Sequence, residues 1–286
     1  MDFTNVFTVT PMSRKVELKA GETYTGTVVV ANPMTAEQNF AYKVSVAPYS
    51  VEGTINNANF ATESLRSQIT KWITIDKPSG VLAPNESAEI TYTITVPEDA
   101  PGGGQYAAIM VGSDNTAPQA QGVNIQNIYE IASIIYARVD GEIKRSGEIT
   151  ENDIPGFVTA MPLTVSTELQ NSGNIHETAS VRVTVNNFLN GSQVYPAEGE
   201  DGILEEIVMP DSSRMVSREL GSLSPVGLYQ ITQSVTYMGQ TSSNSQLVVA
   251  CPVWFMAMVA LTLGVIIYGI TRAIIKHRRK IKRSIA

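Results

Sequence analysis

Residues 89–96, Glu-Ile-Thr-Tyr-Thr-Ile-Thr-Val, decide which fold this sequence favours. Side chains alternate between the two faces of an extended strand, so Ile90, Tyr92 and Ile94 share one face and the intervening threonines share the other. Antiparallel sheets that bury one face and leave the other in water contain strands of this kind. The stretch therefore predicts a β-strand of a sandwich rather than a helix.

The same alternation extends in both directions along the chain, whereas a 3.6-residue period is nearly absent. In the first half it predicts strands at Val6–Val9, Lys15–Leu18, Tyr24–Ala31, Phe40–Ala47, Ile73–Ile75, Ala88–Val96 and Gln105–Val111. In the second half it predicts strands at Leu163–Gln170, Ala179–Asn186, Ile203–Val208, Met215–Leu220, Tyr229–Tyr237 and Ser245–Val249. Turn residues separate the strands, as in a β-sandwich. Asn59–Lys71 fits a short helix and a loop equally well.

The two halves repeat one pattern of strands and turns. Val81–Ser87, which contains a Pro-Asn turn, corresponds to Ile207–Ser213, which contains a Pro-Asp turn. Upstream, Val30-Ala31-Asn32-Pro33 corresponds to Leu169-Gln170-Asn171-Ser172. Each half thus reads as a complete series of sandwich strands.

These observations predict an all-β fold class: two tandem immunoglobulin-like β-sandwich domains followed by a single transmembrane α-helix. The first domain covers residues 1–149 and the second covers residues 150–247. The junction falls near Gly147–Asn152, just after the hairpin signal Asp140-Gly141.

A glycine-containing turn leads into a tyrosine in each half, Tyr106 and Tyr229. Such a tyrosine either pins the corner through its hydroxyl or is an ordinary core aromatic. In the first half, three glycines indicate a tight turn with positive φ, and close approach of the backbone to a glycan or peptide is the alternative. The candidate binding turn therefore consists of Gly102, Gly103, Gly104 and Tyr106.

From Leu247 to Thr271 the chain has no charged residue. Twenty helical residues span about 30 Å, the thickness of the hydrocarbon core of a bilayer. We therefore predict a transmembrane helix over residues 248–272 and a basic cytoplasmic tail over residues 273–286. The residues expected to anchor this topology are Trp254, Tyr268, Arg272, Lys276, Arg278, Arg279 and Lys280.

The basic tail predicts the orientation in a cell membrane crossed once, with the N-terminal ectodomain outside and the tail in the cytoplasm. The N-terminal stretch MDFTNVFTVTP contains no apolar signal-peptide region, and we expect that a signal peptide has been removed. A tail-anchored cytosolic protein is the competing interpretation. It would require moving the seven positive charges of the last fifteen residues across the membrane.

Charge and cysteine content exclude several classes of function. Residues 1–250 carry all 27 acidic residues and 13 of the 20 basic ones, a net charge of −14, and nucleic-acid binding needs a basic surface instead. Cys251 is the single cysteine, so no intrachain disulfide can form. An exported protein without disulfides fits a Gram-positive-type bacterial surface.

No catalytic motif stands out, so we predict a protein that is not an enzyme and has no cofactor. The two histidines, His176 and His277, do not complete a Ser-His-Asp set, and we expect His176 to lie in a solvated turn. The acidic run Glu198–Gly202, with Glu205 and Glu206 beyond it, is the best candidate for calcium. It lacks the ligand spacing of a calcium-binding loop, which favours a solvated loop and no metal.

The chain resembles the WxL-interacting proteins of Gram-positive cell surfaces in its whole architecture. The resemblance rests on Phe7-Thr8-Val9-Thr10-Pro11, Gly26–Asn32, Trp72–Pro84, Gly102-Gly103 and Asn171-Ser172-Gly173-Asn174. It implies two immunoglobulin-like domains, one transmembrane helix and a basic tail. It also implies peptidoglycan binding through the first domain and binding of a surface protein or host ligand through the second.

We accordingly expect a membrane-anchored cell-surface adaptor whose ectodomain binds another surface protein or the wall polymer peptidoglycan. A sheet edge would accept the partner, and Lys15–Leu18 and Gln105–Val111 are the candidate edge strands. The alternatives are a surface carbohydrate-binding module and an accessory subunit of an envelope enzyme complex. A carbohydrate module needs exposed aromatic residues, and outside the helix the sequence offers Trp72 and some of the tyrosines.

Overall fold

A computed structural model describes residues 7–36, 38–55, 57–114, 130–197 and 199–285, with side chains as far as residue 276. The strands of the first half are β1 (Thr8–Thr10), β2 (Ser13–Leu18), β3 (Thr23–Ala31), β4 (Phe40–Pro48), β5 (Ser50–Glu52), β6 (Asn57–Asn59), β7 (Ile73–Ile75), β8 (Ser79–Leu82), β9 (Ser87–Thr95), β10 (Gly103–Ser113) and β11 (Glu130–Val139). Those of the second half are β12 (Gly147–Asp153), β13 (Phe157–Val158), β14 (Leu163–Asn171), β15 (Glu177–Asn187), β16 (Gln193–Tyr195), β17 (Ile203–Val208), β18 (Ser212–Leu220), β19 (Gly227–Tyr237) and β20 (Gln240–Ala250). A 3₁₀ turn covers Gln68–Lys71, and helix α1 covers Val253–Ile285.

The chain divides into two compact units. Unit 1 consists of Met1–Glu148, Glu168–Thr178 and Ile207–Met215. Unit 2 consists of Ile149–Thr167, Ala179–Glu206 and Val216–Ala286. The sequence-based boundary between residues 149 and 150 stays a prediction.

Unit 1 contains a sandwich of two sheets, with strand orders β1-β3-β9-β7 and β2-β11-β10-β4-β8. Apolar side chains from both sheets form one buried core, with Val30 and Ile94 from the first sheet and Ile109 and Val139 from the second. On β9 the buried residues alternate as the sequence predicts. Hydrophobic burial between the sheets, at about 25 cal/mol per Å², is the main favourable term for such a sandwich.

Strand β10 is buried on both faces. One face supplies Ile109 to the sandwich core, and the other supplies Tyr106 to a second apolar cluster with Tyr49, Tyr136 and Met209. Because β11 and β4 flank β10, the prediction of an edge strand at residues 105–111 is wrong. The other predicted edge is confirmed, since β2 lies at the end of its sheet.

Seven strands lie where the sequence predicts none: β5, β6, β8, β11, β12, β13 and β16. Most residues of β11 are buried or half-buried, so its sequence lacks the alternation that marks a strand with one wet face. The hairpin predicted at Asp140-Gly141 is wrong, because β11 pairs with β10 and β2 whereas β12 pairs with β14. In Asn59–Lys71 only the last four residues form a helical turn, so the loop interpretation holds for most of that segment.

The second pair of sheets has strand orders β12-β14-β18 and β13-β20-β19-β15-β16, with β17 also beside β15. Buried side chains such as Val165, Val183, Val216 and Ile231 follow the alternation of these strands. The predicted fold class, immunoglobulin-like β-sandwiches followed by one apolar helix, is confirmed.

One of the two predicted tyrosine corners is present. The hydroxyl of Tyr229 donates to the backbone carbonyl of Ser224, five residues upstream, over 2.9 Å, as a tyrosine corner does. The Tyr106 hydroxyl lies over Gly104 of its own turn, but in the described residues its hydrogen bonds join it to His176.

A buried asparagine, Asn32, supports the first Pro-Asx turn. Its side-chain amide donates to the carbonyl of Leu82 over 3.1 Å and to the carbonyl of Gln38 over 3.0 Å. Asn85 in the turn adopts φ of 66°, a left-handed conformation that asparagine tolerates better than most residues.

Asn171 repeats this arrangement in the second half, as the sequence pattern predicts. Its amide donates to the carbonyl of Val208 over 3.0 Å and to that of Ile175 over 2.9 Å. The following turn contains Asp211 with φ of 54°. Both asparagines therefore use their two amide hydrogens to tie separate turns together inside the protein.

Helix α1 begins at Val253 rather than at the predicted residue 248, because β20 continues to Ala250 and Pro252 follows. Val253–Lys276 is long and apolar enough to cross a membrane, with a mean hydropathy of 2.2 in its most apolar window and no part of it buried. Trp254, Tyr268 and Lys276 are exposed along it. The side chains of residues 278–280 lie outside the described part of the chain, although the helix continues through them.

The paired hydrogen bonds of Asn171 predict a cost for its replacement. In Asn171→Leu the carbonyls of Val208 and Ile175 lose a buried donor, so we expect the free energy of unfolding to fall by about 1–3 kcal/mol. Urea unfolding of the full chain in detergent micelles measures this. The control is Asn57→Leu on the exposed surface of β6, expected within about 0.5 kcal/mol of the parent. Equal losses in the two variants would contradict the role given to Asn171.

Candidate functional site

A cavity of about 570 Å³ opens on the surface of unit 1. All its lining residues belong to that unit. The residues are Tyr49, Ser50, Val51, Ser64, Leu65, Arg66, Gln68, Pro101, Gly102, Gly104, Gln105, Tyr106, Asn174, Met209, Pro210, Asp211 and Ser212. Its size is that of an ordinary ligand pocket.

The start of β10 holds one wall of the cavity through Gln105. This buried side chain donates from Nε2 to the carbonyl of Leu65 over 3.0 Å and accepts at Oε1 from the amide of Ile69 over 3.3 Å. The amide of Tyr106 donates to the carbonyl of Arg66 over 2.7 Å. The loop carrying Leu65 and Arg66 is therefore attached to the strand, which places Leu65 at the mouth with 80% of its surface exposed.

Arg66 supplies a polar part of the cavity lining. Its Nε donates to Asp211 Oδ2 over 3.0 Å, and a second guanidinium nitrogen reaches the same oxygen. The third nitrogen donates to the carbonyl of Asn174 over 3.0 Å. A guanidinium with all three nitrogens engaged holds its position well, so Arg66 forms a fixed polar rim.

Asn174 connects this rim to the glycine turn. Its carbonyl also accepts from the amide of Gly104 over 2.7 Å. Its side chain accepts from the Lys144 amide and donates to the Glu142 carbonyl, both over 2.7 Å. Asn174 is thus hydrogen-bonded to the glycine turn, to the polar rim at Arg66 and to residues 142–144.

The candidate binding turn lies at this point. Gly103 has φ of +118°, so the predicted positive φ is confirmed there. A Cβ on Gly102 would lie 2.8 Å from the Cα of Gly141, and one on Gly104 would meet the ring of Tyr106. The chain's own packing thus requires the glycines. Gly102, Gly104 and Tyr106 line the cavity, whereas contact with a glycan or peptide stays a prediction.

The cavity is mainly apolar in its chemistry. Tyr49, Tyr106 and Met209 form its buried side, and Leu65 stands at its mouth. Burial raises the pKa of the Tyr106 hydroxyl well above its ordinary value, so the group stays neutral. A pocket of this kind suits an apolar group, with polar groups of a ligand at its rim.

His176 is not in a solvated turn, so that prediction is wrong. Its ring packs against those of Tyr136 and Tyr106, with centroids 5.2 and 5.7 Å away. Its amide donates to the Tyr106 hydroxyl over 2.8 Å, and that hydroxyl lies 3.3 Å from Nδ1. Burial, and then the charges of Lys15 and Arg138, lower the pKa of His176 to about 4.

Sequence reasoning missed four polar residues of the cavity: Arg66, Gln105, Asn174 and Asp211. Asn174 and Asp211 lie in turns that the sequence marks, but no local pattern pairs Arg66 with a residue 145 positions away. Among the described residues, no group of three or more His, Cys, Asp and Glu is placed to hold a metal. Residue 198 of the acidic run lies outside the described part of the chain.

No family model and no curated protein matches this chain. Solved structures match at low identity. A chain of a chaperone–tip adhesin complex of CFA/I fimbriae biogenesis is 13% identical, with 86% of this chain and 100% of that chain covered and a TM-score of 0.40. The E. coli chaperone DraB is 15% identical, with 85% and 97% covered and a TM-score of 0.38. At these values the likeness carries no conclusion about what this chain binds.

The lowered pKa of His176 predicts a loss of stability in acid. The unfolded chain binds the proton near pH 6.5 and the folded chain near pH 4, so stability is complete above pH 6.5 and falls as the pH approaches 4. Between pH 7 and pH 4, the free energy of unfolding measured in urea should fall by about 3 kcal/mol less in His176→Gln than in the parent. His277→Gln serves as the control and should behave as the parent. Identical pH profiles for His176→Gln and the parent would rule out a neutral buried imidazole.

Proposed function

We propose that this chain is a non-enzymatic, membrane-anchored adaptor of a bacterial cell surface that binds an extended segment of a partner protein. An apolar side chain of the partner enters the cavity next to Tyr106. The segment's backbone meets the polar rim formed by Arg66 and Asn174. Helix α1 holds the adaptor in the membrane.

The observation that carries this proposal is the combination of an open apolar cavity with a largely exposed apolar residue, Leu65, at its mouth. Burial of the Leu65 side chain by a partner would favour binding, because burying a leucine side chain contributes roughly 1.5–3 kcal/mol. The charged groups in the lining, Arg66 and Asp211, already pair with each other. The cavity therefore favours a neutral apolar group over an ionic one.

A carbohydrate-binding module is the less favoured alternative. Sugars stack on exposed aromatic faces, but Trp72, Tyr49 and Tyr106 are all buried. The expectation that Trp72 is available for stacking is therefore wrong. An accessory subunit of an envelope enzyme complex remains compatible with the adaptor role, since it too binds a protein.

The resemblance to WxL-interacting proteins gives this proposal its setting, a Gram-positive envelope with peptidoglycan as a further partner. The acidic residues 1–250 lie outside the cell in this proposal, and the basic tail lies inside. An apolar helix with no part of it buried needs an apolar solvent, which the bilayer provides.

Photo-crosslinking tests the cavity. A benzoylphenylalanine residue in place of Leu65, in the full chain in native membranes, should yield a protein adduct that mass spectrometry identifies. The matched control is the same substitution at Met34, an exposed apolar residue that does not line the cavity. Leu65→Asp should reduce recovery of the partner at least about tenfold, since it places a charge in an apolar contact. The same adduct from both positions, or none from Leu65, would reject this site.

Cysteine labelling tests the orientation separately. In a Cys251→Ser background, a cysteine at Ser243 on exposed β20 should react in intact cells with a membrane-impermeant maleimide, whereas one at Ser284 should react only after lysis. The physical reason is the positive-inside rule applied to the tail. Labelling at 284 but not at 243 would show the tail-anchored cytosolic topology.

A further inference from the structure

A second, smaller cavity of about 220 Å³ lies in unit 1 beside β2 and β11. We call it the basic pocket and define it by Lys15, Arg138, Arg145 and His176, which line it. Three fixed positive charges thus meet in a part of the chain that is otherwise strongly acidic. The apolar cavity shares none of these four residues.

Two carboxylates of the basic pocket are already paired with its arginines. Arg138 Nη2 lies 2.6 Å from Glu17 Oε2, and Arg145 Nε lies 3.0 Å from Glu177 Oε1. Each pair uses one guanidinium nitrogen of an arginine that carries five N–H donors. Both arginines therefore keep donors for another acceptor while their own charges are balanced.

Lys15 is the cation that remains unbalanced. Its Nζ lies 3.3 Å from the hydroxyl of Thr178, and no carboxylate of the described residues is within ion-pair distance of it. With two of three cations paired, the basic pocket has a net charge of +1 at neutral pH. One anionic group would balance it.

His176 adds a polar ring to the basic pocket. Its backbone amide donates to the Tyr106 hydroxyl, and that hydroxyl lies 3.3 Å from Nδ1, where either atom is able to donate. The imidazole resists becoming a fourth cation because of its burial and the charges of Lys15 and Arg138.

We propose that the basic pocket binds a singly charged oxyanion group, a carboxylate or a phosphate. The donors of Arg138 and Arg145 and the ammonium of Lys15 suit the oxygens of such a group. A volume of about 220 Å³ has room for such a group. This site shares no lining residue with the apolar cavity, and the proposal does not rest on the partner proposed for that cavity.

The imidazole of His176 reports on the bound anion. Lys15 and Glu17 on β2, Tyr136 and Arg138 on β11, Tyr106 on β10, and Arg145 and Glu177 are the titratable groups around it. A negative charge placed among them favours the imidazolium form, so the pKa of His176 rises when the anion binds. By linkage, the anion binds more tightly as the pH falls.

The experiment uses the full chain in detergent micelles and the NMR signal of the His176 ring. The chain has two histidines, and the His277→Gln variant shows which ring signal belongs to His277. The probes are trifluoroacetate and inorganic phosphate, each added in increasing concentration at an ionic strength held constant with chloride. At each concentration the pKa of His176 is measured from spectra between about pH 3.5 and 6.5. A saturable rise in the pKa of His176 is expected. The probe that saturates first identifies carboxylate or phosphate as the preferred group.

Lys15→Gln removes the unbalanced charge and should abolish the saturable response. Lys15 is exposed, so this variant should keep its fold, which a thermal melt checks. Lys43→Gln, an exposed lysine on β4 outside the basic pocket, is the matched control and should respond as the parent does. No response in the parent, or the same response in Lys15→Gln, would overturn the proposal.

Discussion

The two hydrogen bonds from the buried amide of Asn171 are the interaction on which both candidate sites depend. One bond holds the carbonyl of Val208 and so places Met209 and Asp211, while the other holds the carbonyl of Ile175 between Asn174 and His176. A short polar side chain with two donors suits this place because both carbonyls are buried and need partners. Asn32 does the same for the first Pro-Asx turn. Two turns separated along the chain are thereby fixed as one wall.

β10 and Tyr106 connect the apolar cavity with the basic pocket. The Tyr106 ring lines the former, and its hydroxyl contacts His176 in the latter. The glycine turn before it allows this arrangement, since a side chain at residue 104 would meet the tyrosine ring. Although the sites differ in chemistry, one apolar and one basic, they therefore rest on the same strand and the same aromatic residue.

Acidic and basic residues are distributed unevenly along the chain. Residues 1–250 carry all the acidic residues, and the apolar helix and basic tail follow them in sequence. The positive charge of Lys15 dominates its own surroundings because salt screens the acidic residues that lie more than about 10 Å away. The exposed Leu65 stands out as a large apolar side chain beside an open cavity.

The sequence by itself determined the features that local chemistry controls. Alternation on β9, the Pro-Asx turns with their left-handed Asn85 and Asp211, and the apolar helix all follow from side-chain period, turn propensity and length. Only the tertiary structure decided which strands lie inside a sheet. It placed β10 between β11 and β4, packed His176 on two tyrosines, and paired Arg66 with Asp211. The physical reason is that these contacts join residues far apart in sequence, and their choice depends on how whole sheets bury their faces rather than on any local pattern.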